Sequence, residues 1–283
     1  MAGAAFFPGF ALETVTLPHG PVRLRRGGSG PALLLLHGHP RTHTTWWRVA
    51  PLLADRFTVI CPDLPGFGES YQPHDLAGSS KRAKAAALVG LMDALGHDRF
   101  AVAGHDRGSY TAFRLAMDHP DRVTSLTIID GVPIIEALER ADWRFARDWF
   151  HWFFFAQSDK AVAAVTGAPD LWYPLDAAAL GPENHADAMR ATRDPAVVAG
   201  MLADYHAGIE IDHLHDAADR DADRRIACPV RVLWSLQDDM ERLYGDPLQL
   251  WRPWVAGPLD GFGIQSGHHV AEAAPQPLAA AIR

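Results

Sequence analysis

The chain alternates between short stretches that are apolar at almost every position and longer segments whose apolar residues recur at helical spacing. Uniformly apolar stretches are typical of strands buried on both faces of a parallel sheet. Two of the helical segments stop at Gly96 and Pro120, and an antiparallel pair turned at His19 and Gly20 comes before them all. This alternation predicts an α/β domain with a doubly wound, mostly parallel sheet. The apolar stretches span 31–38, 57–68, 99–108, 123–133 and 229–239.

The strand pattern is interrupted once. Between Ile134 and Arg225 the chain becomes helical in character and rich in aromatic residues, above all in the segment WRFARDWFHWFFFAQ. We interpret the phenylalanines of this segment as packing inside a subdomain. The sequence therefore predicts a core formed by 1–133 and 226–283, with a helical cap formed by 134–225 inserted between them.

Composition and charge exclude several classes of protein. The formal net charge is -8 and the sequence pI about 6.0, so the chain offers no broad basic surface for a nucleic acid. Cys61 and Cys228 do not resemble a disulfide framework, which fits a reducing compartment. The first ten residues lack the pattern of a signal peptide, and no apolar stretch is long enough to span a bilayer. We expect a cytoplasmic protein that binds neither nucleic acid nor a membrane.

The most informative motif is Gly104-His105-Asp106-Arg107-Gly108, where an apolar strand runs directly into a helical segment. A tight strand-to-helix turn between two glycines holds the central side chain out at the edge of a sheet, which is where hydrolases carry a nucleophile. Asp106 is therefore the candidate nucleophile. An aspartate that only caps the following helix is the alternative interpretation.

Candidate partners of Asp106 follow strands in the expected order along the chain. His39 lies in the loop whose backbone N–H groups would hold an oxyanion. His268, directly after Gly267, is the preferred general base, with His269 as the alternative. Two positions compete for the acid that would orient this histidine: Asp130 ends one strand, and Asp238 or Asp239 ends another. Asp130 is preferred.

The fifteen histidines require a metal site to be considered. His37, His39 and His43, or His213 and His215, are the conceivable ligand sets, but neither has the spacing of a known helical metal motif. The glycine-rich loop 63–68 lacks the lysine and the glycine spacing of a phosphate-binding loop. We therefore predict no catalytic metal and no cofactor.

These motifs together resemble those of the fluoroacetate dehalogenases, a branch of the α/β-hydrolase fold close to soluble epoxide hydrolases and haloalkane dehalogenases. The resemblance runs nearly from end to end, and no single motif is specific by itself. It is carried by LLLLHGHPRTHTTWWRVAP, PDLPGFGES, GHDRGSYTAFRLAMDHP, HWFFFAQ, DYHAG, LWRPW and GHHVAEAAP.

The resemblance implies roles for several further residues. His151, Trp152 and Tyr205 match positions that donate hydrogen bonds to the departing halide in that family. Arg107 matches an arginine that binds the substrate carboxylate. The family pattern continues Asp-Arg-x-x-Arg, and here Tyr110 replaces the second arginine, so one expected cation of the substrate site is missing; Arg41 and Arg114 are candidates to replace it.

The function that follows is hydrolytic dehalogenation of a small 2-haloacid such as haloacetate through an ester of Asp106, in a protein that the family suggests is a homodimer. His268, oriented by Asp130, would activate the water, and His39 and Tyr110 would line the substrate site with Arg107. Epoxide hydrolysis by the same two steps is the alternative enzyme, for which a second tyrosine besides Tyr205 would be wanted. A ligand-binding protein without catalysis is the alternative class, and such proteins usually lose members of the triad.

Overall fold

The structure is a computed structural model that describes residues 5–283. Residues 1–4, which belong to the predicted core and to the segment tested for a signal peptide, lie outside the described residues. The chain forms one eight-stranded sheet in the order β1-β2-β4-β3-β5-β6-β7-β8. Its strands are β1 (Phe10–Leu17), β2 (Gly20–Gly28), β3 (Ala32–Leu36), β4 (Thr58–Pro62), β5 (Phe100–His105), β6 (Val123–Ile129), β7 (Val230–Ser235) and β8 (Leu259–Ile264).

The sheet is parallel from β4 to β8 in its spatial order, and its other edge is antiparallel. β1 pairs with β2 and β2 with β4 in antiparallel fashion, while the pairs from β4–β3 to β7–β8 are parallel. The predicted doubly wound sheet and its antiparallel first pair are thus confirmed. Because the carboxyl ends of parallel strands meet at one edge, the loops after β3, β5, β6, β7 and β8 converge there.

Both faces of the sheet are covered, which explains why its strands are apolar throughout. In β3 every residue is buried; Leu33 and Leu35 belong to one hydrophobic cluster, and Leu34 and Leu36 to another. This alternation follows from the period of two along a strand. The first cluster includes side chains of α1 (Ala50–Leu53) and of the C-terminal helices. The second includes side chains of α2 (Lys81–Ala94) and α3 (Arg107–Asp118).

A helical insert separates β6 from β7. Its helices are α4 (Ile134–Glu139), α5 (Trp143–Asp148), α6 (Phe150–Phe155), α7 (Asp159–Gly167), α8 (Pro169–Trp172), α9 (Ala177–Leu180), α10 (Pro182–Arg193), α11 (Pro195–Ala207) and α12 (His213–Asp221). The helices that follow β7 are α13 (Met240–Tyr244), α14 (Pro247–Trp251), α15 (Val270–Ala273) and α16 (Pro275–Ile282). Short 3-10 helices span His43–Arg48 and Arg252–Trp254, and a π-helical turn spans Gly208–Asp212.

The insert coincides with the predicted helical cap, although the exact division at 134–225 stays a prediction. Its aromatic segment is less uniform than expected, because Phe145 and Phe155 are buried whereas Phe150 and Phe153 are 50% and 40% exposed. The interpretation of all these phenylalanines as internal packing is therefore wrong for the second pair. None of the helices among residues 5–283 has both the length and the hydropathy to cross a membrane.

Candidate active site

Asp106 occupies the sharp turn between β5 and α3. Its φ of 49° lies in the left-handed region, which a residue with a side chain adopts at a cost of about 1–3 kcal/mol. The carboxylate makes no hydrogen bond that caps α3. Helix capping is therefore not its role, and the turn presents its side chain toward the insert.

The turn is possible because glycines stand where the turn and the loop after β3 approach each other. A Cβ at Gly108 would lie 2.5 Å from the carbonyl oxygen of His37, and a Cβ at Gly38 would lie 2.5 Å from the Cβ of Asp106. Either contact would push the loop after β3 away from the turn. The glycines thus bring the backbone of this loop against the Asp106 carboxylate.

The two oxygens of Asp106 have different surroundings. Oδ1 accepts a hydrogen bond from the backbone N–H of His39 at 2.6 Å, and Oδ2 lies 3.8 Å from Nε2 of His268. Burial raises the pKa of Asp106, but the charges of His268, His105 and Arg107 and the His39 N–H outweigh it, so the pKa lies below its ordinary value. The carboxylate is ionised, with one oxygen fixed and the other free to react.

His268 lies on the loop after β8 and faces carboxylates from both sides. Its Nδ1 is 3.1 Å from Oδ2 of Asp238 and 3.6 Å from Oδ2 of Asp130. Its backbone carbonyl accepts a 2.7 Å hydrogen bond from Nε2 of His105. Burial lowers the pKa of His268, yet bonding to Asp130 and Asp238 and the charge of Asp106 raise it well above its ordinary value. The carboxylates around it therefore favour the protonated imidazole while Asp106 is charged.

Geometry leaves two candidates for the orienting acid. Asp238 is nearer to His268, but its side chain is 30% exposed. Asp130 is 1% exposed and is held by two hydrogen bonds from Ser235, one from the backbone N–H at 2.8 Å and one from the hydroxyl. A carboxylate fixed in this way interacts with less screening from solvent. Distance thus favours Asp238 and burial favours Asp130, and the preference for Asp130 stays a prediction.

A cavity of about 360 Å³ lies between Asp106 and the insert. Most sequence-predicted residues line it: Asp106, His268, His269, Asp130, Asp238, Asp239, His39, Tyr110, His151, Trp152 and Tyr205. Other lining residues were missed by sequence reasoning, notably Tyr173, Trp172, Trp149 and Asp148. The aromatic segment around Trp152 is a signal for Trp149, but no motif distinguishes Tyr173 from other tyrosines.

Arg107 does not line the cavity, and the expectation that it binds a substrate carboxylate is corrected. Its side chain is fully buried, with Nε donating to Oδ2 of Asp204 at 2.5 Å and Nη2 to the Asp204 carbonyl at 2.9 Å. Asp204 also pairs with Lys84 and Lys81. The charge of Arg107 thus belongs to a buried ion-pair network that joins α3 and α2 of the core to α11 of the insert.

The two candidate replacements for the missing arginine are also engaged elsewhere. Arg41 makes a buried pair with Glu272, at 2.9 Å. Arg114 pairs with Asp216 at 2.5 Å and with Asp219. Neither arginine lines the cavity. The expectation that one of them compensates for Tyr110 is therefore wrong.

The predicted halide donors lie together in the cavity wall. The ring of Tyr205 is 5.7 Å from that of His151 and 6.2 Å from that of Trp152, measured between centroids. Burial lowers the pKa of His151 to about 4. This imidazole is consequently neutral, and the three side chains offer uncharged N–H and O–H donors to one small volume.

The histidine sets considered from the sequence, 37, 39 and 43 or 213 and 215, are not grouped closely enough for a metal ion among the described residues. Within residues 5–283 the one group of the required compactness is His105, Asp130 and His268. Each of these side chains already has a protein partner: His105 Nε2 bonds to a carbonyl, Asp130 to Ser235, and His268 to carboxylates. The arrangement is accounted for by proton chemistry among these groups.

Comparison with known proteins decides the family. The family described as alpha/beta hydrolase fold matches residues 31–172. A fluoroacetate dehalogenase from Burkholderia sp is 37% identical to this chain over 98% of the chain and 94% of the relative. The chain belongs to the α/β-hydrolase family.

Other relatives of this α/β hydrolase carry a second reaction in their names. A soluble epoxide hydrolase from Corynebacterium sp. (strain C12) is 32% identical, over 88% of the chain and 87% of that protein. A solved structure of a candidate α/β hydrolase from Nostoc sp PCC 7120 superposes with a TM-score of 0.93 at 36% identity, covering 98% of this chain and 97% of that one. The names of the relatives thus cover two reactions, dehalogenation and epoxide hydrolysis.

Proposed function

We propose that this α/β hydrolase is a hydrolytic dehalogenase that acts on small halogenated compounds through an ester of Asp106. One observation carries the proposal: Oδ1 of Asp106 is held by the His39 N–H, while Oδ2 faces a cavity that also contains His268 and the His151, Trp152 and Tyr205 donors. The sequence predicted a 2-haloacid such as haloacetate.

In the first step, Oδ2 of Asp106 attacks the carbon that bears the halogen. The new bond joins Oδ2 to carbon, and the halide leaves with the electron pair of the broken bond. Neutral donors on His151, Trp152 and Tyr205 stabilise the developing anion, and the latter two side chains are buried. The ester that results has its carbonyl oxygen at Oδ1, against the His39 N–H.

In the second step, water attacks the ester carbonyl carbon of Asp106. Formation of the ester removes the charge of Asp106, which is one of the influences that raise the pKa of His268. His268 can then lose its proton and act as the general base. The His39 N–H stabilises the oxyanion, the bond from the carbonyl carbon to Oδ2 breaks, and an alcohol leaves while the carboxylate is restored. The sum is one halide and one proton released for each water consumed.

A halide-release screen tests the proposal directly. Fluoro-, chloro- and bromo-substituted two-carbon compounds, both acids and amides, are incubated with the protein, and free halide and alcohol are measured. We expect equal amounts of halide and alcohol from at least one compound. If these compounds bind saturably but no halide is released, and no diol forms from an epoxide, the chain is a ligand-binding protein instead.

Trp152→Phe should lower kcat for dehalogenation by about 10²-fold, because it removes one donor to the leaving halide while keeping an aromatic ring. The loss should increase from bromide to chloride to fluoride, since smaller halides depend more on hydrogen bonds. Trp143→Phe is the matched control, because Trp143 lies in the insert but is 64% exposed and outside the cavity. An equal loss for all halides would mean that Trp152 acts only by packing.

The choice of orienting acid gives a second expected result. Asp130→Asn should lower kcat by about 10²–10⁴-fold, because it replaces the fixed buried partner of His268. Asp238→Asn should cost much less, since this side chain is partly exposed and its charge is better screened. Both variants are compared in steady-state halide release. If Asp238→Asn shows the larger loss, Asp238 is the orienting acid.

Epoxide hydrolysis is the second candidate, and Tyr173 favours it. Tyr173 and Tyr205 both come from the insert, and their rings lie 5.1 and 5.2 Å from the ring of His39. The Tyr173 hydroxyl is buried without a partner among the described residues. Two phenols above the Asp106 oxygen could donate to an epoxide oxygen. Formation of diol from a styrene-type epoxide, lost in Tyr173→Phe while release of halide persists, would support this activity.

A further inference from the structure

The cavity offers no permanent cation to an anionic substrate. Among its lining residues, all within the described range 5–283, there is no lysine and no arginine. The wall instead contains the carboxylates of Asp106, Asp130, Asp148, Asp238 and Asp239. The positive charge of His268 is already opposed by Asp106, Asp130 and Asp238 at 3.1–3.8 Å.

Arg107 lies directly behind this wall rather than in it. Its guanidinium carbon is 4.0 Å from the ring centroid of Tyr205, 4.9 Å from that of Tyr110 and 5.2 Å from that of Trp152. All three rings line the cavity, whereas Arg107 does not. One guanidinium nitrogen, Nη1, has no partner among the described residues. The rings of Tyr205, Tyr110 and Trp152 lie between it and the substrate space, and its charge pairs with Asp204, which Lys81 and Lys84 share.

Tyr110 lines the cavity in front of Arg107. It follows Asp106 by one helical turn, is 3% exposed and packs edge-on against Trp152 at 5.8 Å. Burial raises the pKa of Tyr110 well above its ordinary value, so the phenol is neutral. A phenol hydroxyl can donate to a carbonyl oxygen or accept from an amide N–H. It cannot neutralise a carboxylate placed beside ionised Asp106, and an uncompensated buried charge is strongly unfavourable.

We infer that the substrate is uncharged, an α-halo amide or a similarly neutral α-halo carbonyl compound, and that Tyr110 is the residue that selects it by hydrogen bonding to the carbonyl end. This inference rests on the proposed dehalogenation at Asp106. The chemistry is unchanged: the carbon–halogen bond breaks, Oδ2 of Asp106 bonds to that carbon, and water releases the corresponding 2-hydroxy compound. The carboxylate of a haloacid of the same size would meet no lysine or arginine among the lining residues.

The test compares chloroacetamide with chloroacetate, which differ little in size but differ in charge. In the wild-type protein kcat/KM should be at least about tenfold higher for the amide. Tyr110→Arg should raise kcat/KM for chloroacetate by about 10–10²-fold and reverse the preference. Tyr110→Phe should lower kcat/KM for the amide about tenfold without helping the acid. Asp106→Asn is the blank, because chloroacetamide also alkylates thiols.

The controls separate the failure of this inference from the failure of the proposed function. Tyr71→Arg adds the same charge outside the cavity and should leave the preference unchanged. If the wild type prefers chloroacetate, the inference is overturned while dehalogenation stands. If no halide is released from either compound and no ester forms on Asp106, the proposed function fails and the inference fails with it. The wild-type ratio decides the question even where Tyr110→Arg does not fold.

Discussion

Asp106→Asn should abolish halide release, with a loss of about 10⁴-fold or more, because an amide oxygen is a far weaker nucleophile than a carboxylate. The fold should survive. Asparagine tolerates the left-handed backbone that position 106 requires, and its amide oxygen can still accept from the His39 N–H. Halide release and thermal unfolding are measured on the same preparation.

The control for this variant is Asp121→Asn, which makes the same change at an exposed position after α3. It should retain normal turnover. The wild-type protein provides an independent check, since a single turnover in ¹⁸O-labelled water should place the label in Asp106 and leave the first molecule of alcohol unlabelled. Normal release of halide by Asp106→Asn, or label entering the alcohol directly, would show that water attacks the substrate without an ester.

Features set by short-range sterics could be predicted from the sequence. The turn at Asp106 needs small residues at Gly104 and Gly108, and the structure places backbone carbonyls where their side chains would be. The uniformly apolar strands likewise follow from a sheet covered on both faces. In both cases the pattern can be recognised from residues next to each other in the chain, although the carbonyls that crowd Gly108 belong to Leu36 and His37.

Arg107 illustrates what the sequence could not provide. A cation directly after the nucleophile suggests a substrate anion, yet its partner is Asp204, which lies 97 residues away in the insert. The same carboxylate also accepts from Lys84, so the pairing depends on how α11 packs on the core. Residue type indicates that a charge must be paired when it is buried, but it does not indicate with what.

The sequence could not decide which acid orients His268, or which aromatic side chains of the insert are buried, for a related reason. Asp130 and Asp238 end neighbouring strands, and both reach His268. In the segment 143–157, a break between α5 and α6 changes which side chains face inward, so Phe150 is exposed while Trp152 faces the cavity. A difference of one residue in a helix boundary rotates a side chain by about 100°. Sequence patterns do not define boundaries that finely.

His268→Gln should cause the ester of Asp106 to accumulate. The first step needs only the ionised Asp106, whose pKa is also lowered by His105, Arg107 and the His39 N–H, so halide is still released once. The second step loses its general base and should slow by about 10²–10⁴-fold. Intact-protein mass spectrometry should show one added alkyl group, and peptide mapping should locate it at Asp106.

His269→Gln is the matched control, because His269 also lines the cavity but is not among the groups that lie near the Asp106 oxygens. This variant should release halide repeatedly without accumulating ester, and accumulation of ester in it would assign the general base to His269.

The wild-type protein should also accumulate the ester at low pH. As pH falls, His268 becomes protonated in the ester and hydrolysis slows, whereas the lowered pKa of Asp106 keeps the first step active. The rate of the second step should therefore fall at a higher pH than the rate of the first, and ester should build up between the two. An ester that never accumulates, at any pH or in either variant, would mean that the carboxylate at 106 is not the group alkylated.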